Sequence, residues 1–507
     1  MSAKNILIIG AGISGLSVLH YLKIKYARRS DIHIQLLEKN NTPGGAIQTL
    51  QNRYGIFEYG PNGFLDSKTS IRELTWDMDL ESALIGSSPE SNKRFLFINN
   101  QPHAIPTDFL SLCAFKPLTI FDKLRIPFEL FVSRSQNTDE TVYEFGARRF
   151  GKKFTGIFLD AIVQGIFAGD VRRLHLRLAF PRIYEIEQKY GSLLKGLICL
   201  QLEYRRMKRR AASSENPENQ PPNPLGGCLV SFKRGMSQLI ERLYERYQDS
   251  LVLNQEVSLM VQESGRFIVH SSQKVYPVSK NLQYFTSGER GIIPRSSIKE
   301  EDLDIANLRK RGIYDADELF LCVPAYCAAI ITKNLSETLS AQLNKIPYVC
   351  IAVIGLVYKK NSFDRLPTGF GYLTPSREKK EVLGVLFDNH IFPQRVVGDF
   401  EQFRIMIGGA HHPQILSKTE EELLRMAKDE IRLFLKLKKN EEPVHSFVVV
   451  WPKGIPQYNT DEVLVRSAIE TESQKIKNFH IVSNYLNGIS INDCVRNAQM
   501  AVAQSCL

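Results

Sequence analysis

An apolar run, Ile6-Leu7-Ile8-Ile9, leads directly into Gly10-Ala-Gly12-Ile13-Ser14-Gly15 and then into the periodic segment 16–25. This reads as a strand, a tight turn and a helix. Glycine at the three fixed places of G-x-G-x-x-G permits the turn, the close approach of backbone to a pyrophosphate, and tight packing of helix on strand. The first N–H groups of the helix then aim at the phosphates. A second strand over 33–37 ends at Glu38, 23 residues after Gly15. A carboxylate there accepts hydrogen bonds from ribose hydroxyls and repels a 2′-phosphate, which disfavours NADP. Such a strand–helix–strand unit commits the N-terminal segment to a parallel α/β sheet. Alone, the glycines point to a dinucleotide without saying which one or for what chemistry.

The chain of 507 residues exceeds a single domain, and its 43% hydrophobic and 23% charged residues are ordinary for a globular protein. The net charge of +11 suits an anionic membrane surface, nucleic acid, or simply a basic solvated surface. No apolar stretch reaches the roughly 18 residues of a membrane-spanning helix. The segment 346–358 is rich in β-branched residues and carries Pro347, so it reads as a buried strand. A strand this close to Met1 leaves no room, on this reading, for a secretory or transit peptide. The eight cysteines form no C-x-x-C pair. We therefore expect a reducing compartment, no structural zinc and no disulfide framework.

Residues 95–210 read as mostly helical. Within them, 109–131 clusters aromatic and aliphatic residues, broken by Pro117 and Pro127 and edged by Lys123 and Arg125. That pattern suits either an interfacial membrane contact or a buried helical hairpin. The basic run 204–210 suits anionic lipid or a solvated helix end, and 211–224 has the composition of a flexible loop. Strands are expected at 251–253, 257–261, 266–270 and 318–324, and a helix at 420–438. Residues 275–312 break the pattern and read as an insertion.

Two further segments sharpen the opening motif. Pro43-Gly44-Gly45-Ala46 follows Glu38-Lys39 closely, so that a second glycine pair can approach the diphosphate. Glu58-Tyr-Gly60-Pro61-Asn62 comes soon after. This continuation resembles the amine oxidase-like flavoproteins rather than NAD dehydrogenases. Near the other end, 479–495 reads as strand, turn and helix, with Gly488, Ile489, Ser490 and Ile491 at the helix N-terminus facing a flavin ring or pyrophosphate.

Blocks throughout the chain are similar to the oxygen-dependent protoporphyrinogen oxidase family. They are Gln164-Gly-Ile-Phe-Ala-Gly-Asp170, Ala179-Phe-Pro-Arg182, Glu185-x-Glu-Gln-Lys-Tyr-Gly-Ser192, Ser231-Phe-x-x-Gly-Met236, Trp451-Pro-Lys-Gly-Ile-Pro-Gln-Tyr458 and Asn484-Tyr-x-x-Gly-Ile-Ser490. The resemblance implies FAD as cofactor, a reduced tetrapyrrole as substrate and O2 as acceptor. It implies six electrons leaving in three rounds with release of hydrogen peroxide. No side chain is expected to be catalytic, because the flavin carries the hydride chemistry, and no metal is expected.

The resemblance also implies site residues. Around FAD it places Gly10, Gly12, Ile13, Ser14, Gly15, Glu38, Lys39, Gly45, Ala46, Gly60, Pro61 and Asn62, with Val257, Trp451 and Gly488 to Ile491. Around the substrate it places Arg94 facing a propionate, Leu373 and Phe392 sandwiching the macrocycle, Asn62 near the isoalloxazine, and Gly165, Ala168 and Gly169 lining the pocket beside the flavin. Ser483 stands where the family has Gly, and His175 where many members have Ser.

The implied fold class is mixed α/β with α+β character. A Rossmann-like FAD domain of amine oxidase type comprises 1–80, 228–275 and 440–507. A substrate domain on a mixed or antiparallel sheet comprises 81–95, 211–227 and 313–439. A helical membrane-binding domain covers 96–210, and 276–312 is an insertion of unknown role. Ferrochelatase as partner comes from the same resemblance; a cytoplasmic location, peripheral on the inner face of a membrane, is expected from 109–131 and the basic run, a homodimer is also expected, and nucleic acid is not. A coproporphyrinogen oxidase of the same fold stays open as an alternative, and its four-propionate substrate would need more cations. So do another amine oxidase-like flavoenzyme, such as a carotenoid desaturase, and a non-catalytic flavoprotein.

Overall fold

The computed structural model describes residues 3–212, 227–273, 283–286 and 312–506, apart from 365, 367 and 439. Ala211 and Ala212, expected to open a loop, instead end the helix Leu193–Ala212; the rest of that loop, 213–224, and most of the insertion at 276–312 lie outside the described residues.

Lys4–Ile9 is the centre of a five-stranded parallel sheet in the order Leu251–Val252, Ile32–Leu37, Lys4–Ile9, Glu318–Leu321, Phe479–Ile481. The continuous apolar run of the first strand has a simple cause: both of its faces are covered. Ile6 and Ile8 join a core made with the helices Ile13–Lys25, Ser237–Tyr247 and Ile491–Gln504. Leu7 and Ile9 point the other way, into a core shared with the hairpin Gln255–Glu263/Arg266–Gln273 and the helices Ala325–Thr332 and Glu337–Asn344. The first helix starts at Ile13, earlier than the periodicity implied, because Gly12 serves as its N-cap.

A second, eight-stranded sheet runs Gln283–Thr286, His445–Pro456, Tyr348–Lys359, Phe400–Gly408, Val382–Phe387, Gly371–Leu373, Arg94–Ile98, Gln101–Ala104. It is antiparallel except where Gly371–Leu373 meets Arg94–Ile98 in parallel register. The buried strand expected at 346–358 is an interior strand of this sheet, Tyr348–Lys359. The helix Glu420–Leu435, opened by a Thr419/Glu422 capping box, covers one face through Leu423, Ala427, Ile431 and Phe434.

Several strand pairings run across the expected boundaries. Arg94–Ile98 and Gln101–Ala104 belong to the eight-stranded sheet, so a boundary at 95/96 cuts through a strand. Glu318–Leu321 pairs with the first strand, so 313–439 is not all one unit. His445–Pro456 lies in the large sheet rather than with the dinucleotide unit. The strand Gln283–Thr286, inside the expected insertion, extends the edge of that sheet beside His445–Pro456.

Helices dominate 109–212. Their centre is a buried ion cluster in which Arg149 bonds Glu129 and Glu187, while Glu129 also accepts from Leu193 N at 2.8 Å and Ser192 Oγ at 2.6 Å. Burying these charges is tolerable because both Glu129 oxygens and Glu187 Oε1 find donors, although Glu187 Oε2 is buried without a partner. Within 109–131 the buried-hairpin reading holds only for Phe115, Leu118 and Glu129. Neither Phe109–Ala114 nor Ile120–Phe128 buries a single residue, and Phe109, Phe121 and Phe131 are 74%, 80% and 81% exposed.

Candidate active site

The dinucleotide turn is built by backbone geometry. Gly10 has φ +98°, and a Cβ there would lie 2.7 Å from the Cys322 carbonyl oxygen. A Cβ on Gly15 would lie 1.9 Å from the Gly10 carbonyl oxygen. Gly12 is different: nothing lies within 4 Å of the position its Cβ would take. Facing it, Gly45 (φ +60°) brings its own Cβ position to 3.4 Å from the Gly12 Cα, and Gly12 bridges Gly44. Gly60 sits so close to Ala46 that a Cβ would meet the Ala46 carbonyl oxygen at 2.0 Å. Three segments remote in sequence thus converge on one backbone-lined cradle. Ser14 is buried and Ile13 half-buried on the helix that leaves it, and no side chain caps that helix. Its first-turn amides are therefore available to phosphate oxygens.

Glu38 closes the cradle. Its Oε2 accepts from Ala11 N at 2.7 Å and its Oε1 from Asn40 N at 2.9 Å, and burial raises its pKa. Each carboxylate oxygen keeps a lone pair for a ribose hydroxyl. Lys39 beside it is half-buried. Val257 lies in the core on one face of the parallel sheet with Leu7, Ile9 and Leu37.

At the other end of the site, Trp451 Nε1 donates to the Tyr59 carbonyl at 3.0 Å, which places the indole against the Gly60-Pro61-Asn62 segment. Gly488 (φ +103°) donates its N–H to Tyr458 Oη at 2.9 Å. Ile489 follows, half-buried, and Ser490 caps the helix Ile491–Gln504 in a reciprocal capping box with Asp493. The first-turn amides of Ile491 and Asn492 stay outside that box.

The expected substrate residues form three groups. The helix Asp160–Phe167 meets the large sheet where a Cβ on Gly165 would lie 2.9 Å from Leu373 Cδ2. Ala168 ends that helix in a left-handed turn (φ +47°), its carbonyl held by Ala410 N at 2.7 Å. Gly169 packs against Gln457, whose Nε2 donates to the Phe167 carbonyl at 2.9 Å. In the second group, the exposed Arg94 guanidinium lies over the Phe370 ring at 4.8 Å, and Phe370 packs on the Ile85–Ile391–Phe392 cluster. Arg94 has no ion-pair partner among the described residues. The third group is Asn62: its carbonyl accepts from Ser231 Oγ at 2.8 Å, while its Nδ2 is buried with no partner. Leu373 and Phe392 fall in different clusters, Leu373 beside Leu96 and Phe115, and Phe392 only 1% exposed.

One part of the site was invisible in sequence. Glu58 is salt-bridged to Arg395 (Nη1–Oε1 3.1 Å), its carbonyl accepts from Arg404 Nη1 at 3.1 Å, and Arg404 also pairs with Asp388 at 3.1 Å. Burial raises the pKa of Glu58 and of Asp388 and lowers that of Arg395. The available signals were the position of Glu58 two residues before Gly60, and Arg395 closing His-Ile-Phe392-Pro-Gln-Arg. Neither reveals a buried ion pair.

These features fit a flavin dinucleotide: open space over Gly12, an uncapped helix N-terminus, a buried carboxylate at the strand end and an orphaned amide on Asn62. The chain is 25% identical over 503 residues to a chloroplastic protoporphyrinogen oxidase of Nicotiana tabacum, covering 97% of this chain and 83% of that protein. It is 26% identical over 525 residues to the protoporphyrinogen oxidase of Bos taurus, covering 99% and 98%. A crystal structure from Exiguobacterium sp. 255-15, provisionally described as a protoporphyrinogen oxidase, superposes with a TM-score of 0.76 at 18% identity over 99% of this chain and 98% of that one. The family model of flavin containing amine oxidoreductases matches residues 13–280 and 293–504. The chain therefore belongs to the flavin containing amine oxidoreductase family.

Proposed function

We propose that the protein is an FAD-dependent, oxygen-dependent protoporphyrinogen oxidase that converts protoporphyrinogen IX to protoporphyrin IX in haem biosynthesis. The observation that carries this is the pairing of one unpartnered cation, Arg94, with the aromatic wall Phe370–Phe392. A macrocycle with propionates on one edge calls for that combination of apolar slot and charged mouth. Coproporphyrinogen, with propionates on every side, calls for more cations than the lone Arg94 of this group. Similarity to curated protoporphyrinogen oxidases over 97–99% of the chain supports the same assignment.

Each group of residues has a task. Gly12, Gly45 and the first helix hold the diphosphate, and Glu38 holds the ribose. Trp451, Gly60 and Pro61 back the flavin end. Leu373 and Phe392 fix the plane of the tetrapyrrole, Arg94 fixes its rotation, and Asn62 Nδ2 supplies a hydrogen bond at the junction of substrate and cofactor. The chemistry supplied by a bound flavin is hydride acceptance and electron transfer to oxygen. The buried walls exclude water from that exchange.

The exposed surface formed by Phe109, Leu110, Phe121, Leu124, Phe128 and Phe131, edged by Lys116, Lys123 and Arg125, supports peripheral attachment to the cytoplasmic face of a membrane. No helix among the described residues is long and apolar enough to cross one. Passage of an apolar product to ferrochelatase is consistent with that location.

The test is turnover of protoporphyrinogen IX in air, followed by porphyrin fluorescence and peroxide release. We expect about three peroxides per porphyrin and slower turnover of coproporphyrinogen. A flavin-loaded protein that prefers coproporphyrinogen moves the substrate and keeps the fold.

A further inference from the structure

We propose that Arg395 is a positioning residue that ties the Phe392 wall of the substrate slot to the flavin-side loop that carries Asn62. The proposal rests on the assignment of Phe392 and Asn62 to the slot. Arg395 lies three residues beyond Phe392 and is 4% exposed. Its Cζ sits 4.7 Å from the centre of the Phe392 ring, so the guanidinium forms the floor on which that ring rests. The same guanidinium donates from Nη2 to Ser231 Oγ at 2.5 Å. Ser231 Oγ in turn donates to the Asn62 carbonyl at 2.8 Å. Its remaining donors go to the Phe232 carbonyl, 2.7 Å from Nη2 and 3.2 Å from Nε, and to Glu58 Oε1, 3.1 Å from Nη1.

Glu58 begins the Glu-Tyr-Gly-Pro-Asn segment that ends in Asn62. It is held from the other side by Met236 N and Thr49 Oγ1, each at 2.7 Å. One planar cation therefore reaches Phe392 through its face and Asn62 by two routes, through Ser231 and through Glu58. The fixed fork of arginine suits this, because its donors diverge in one plane while both faces stay free for an aromatic ring. Lysine has neither the fork nor the flat face.

The function that follows is control of slot geometry. Phe392 and Asn62 are contributed by segments more than 300 residues apart, and neither touches the other directly in the contacts above. A shift of about 1 Å between them would misalign a flat substrate over the flavin. Arg395 does not meet the reacting atoms; it sets the spacing of groups that do.

The experiment uses the full-length holoenzyme. Wild-type turnover of protoporphyrinogen IX is measured first, and an inert, flavin-loaded wild type would defeat the functional assignment without touching this one. Arg395→Lys, Ser231→Ala, Asn62→Ala and the two double variants with Asn62→Ala are then compared for flavin content, unfolding temperature, KM and kcat. We expect Arg395→Lys to keep its flavin and lose about 10- to 100-fold in kcat/KM, with kcat falling at least as much as KM rises. In the Asn62→Ala background the same change should cost clearly less, because the Asn62 side chain, whose placement against Phe392 it sets, is already gone. Equal losses in both backgrounds would overturn the proposal, as would wild-type kcat/KM in a folded Arg395→Lys protein. If Arg395→Lys does not fold, Ser231→Ala decides: a loss of threefold or more that vanishes beside Asn62→Ala supports the link, and no loss overturns it.

Discussion

Gly12 and Gly15 are three residues apart in one motif, yet their substitutions should fail for opposite reasons. Gly12 has φ −70° and ψ 178°, which any residue adopts, and its Cβ position is empty out to 4 Å. Gly12→Val should therefore fold, losing about 1 kcal/mol or less from a poorer N-cap. The space its side chain fills is the space a pyrophosphate needs. Overpacking of that order costs about 1–3 kcal/mol, or up to about two decades in FAD affinity. Gly15→Ala puts a methyl group 1.9 Å from the Gly10 carbonyl oxygen. Relief requires the first helix to move away from its own turn, at a cost above about 3 kcal/mol to the fold itself. The assay has three readings: flavin-to-protein absorbance after purification, unfolding temperature of the apoprotein, and FAD titration. Gly12→Val should come off the column colourless with a near-normal apoprotein transition, and Gly15→Ala should be poorly folded with or without FAD. A yellow Gly12→Val protein with wild-type affinity would refute the placement of the diphosphate.

Arg94→Ala should raise KM for protoporphyrinogen about 5- to 30-fold while leaving flavin content and kcat close to normal, since a charge-assisted contact to a propionate contributes about 1–2 kcal/mol at an exposed mouth; an unchanged KM would remove Arg94 from the site. Burial pushes Glu401 up to about 7 from 4.5, so the stability it contributes is full below pH 4.5 and lost as pH rises through 7. Glu401→Gln should therefore gain on the wild type by about 3 kcal/mol between pH 4.5 and 8, seen as roughly 3 °C in relative unfolding temperature for a chain of this size; a difference that does not vary with pH contradicts this. Phe121→Asp with Phe131→Asp should abolish co-flotation with anionic liposomes while sparing turnover in detergent, and retained flotation would move the membrane contact elsewhere.

What could be read along the chain was local. The glycine turn follows from rules that span a few residues: which φ values a side chain permits, which period buries a face. Gly10, Gly15 and Gly488 sit where those rules require, and the strand at Tyr348–Lys359 shows its burial in its own β-branched run. The helices at Glu420–Leu435 and Ile491–Gln504 carry their capping boxes in plain sight.

The boundaries between units were less legible, because sheet membership depends on partners far away. Arg94–Ile98 looks like the start of a helical segment until it pairs in parallel with Gly371–Leu373. Likewise, an apolar segment reads the same whether it is buried or exposed, and only the packing of Phe109–Ala114 and Ile120–Phe128 shows that most of their large apolar side chains are exposed. The sequence by itself therefore determined the dinucleotide turn and the family pattern, since each is set by residue type over short spans. The tertiary structure alone decided the Arg395–Ser231–Asn62 link, the Arg94–Phe370 mouth and the buried Glu58 pair, because a charge buried beside a residue hundreds of positions away leaves no periodic trace in the chain that carries it.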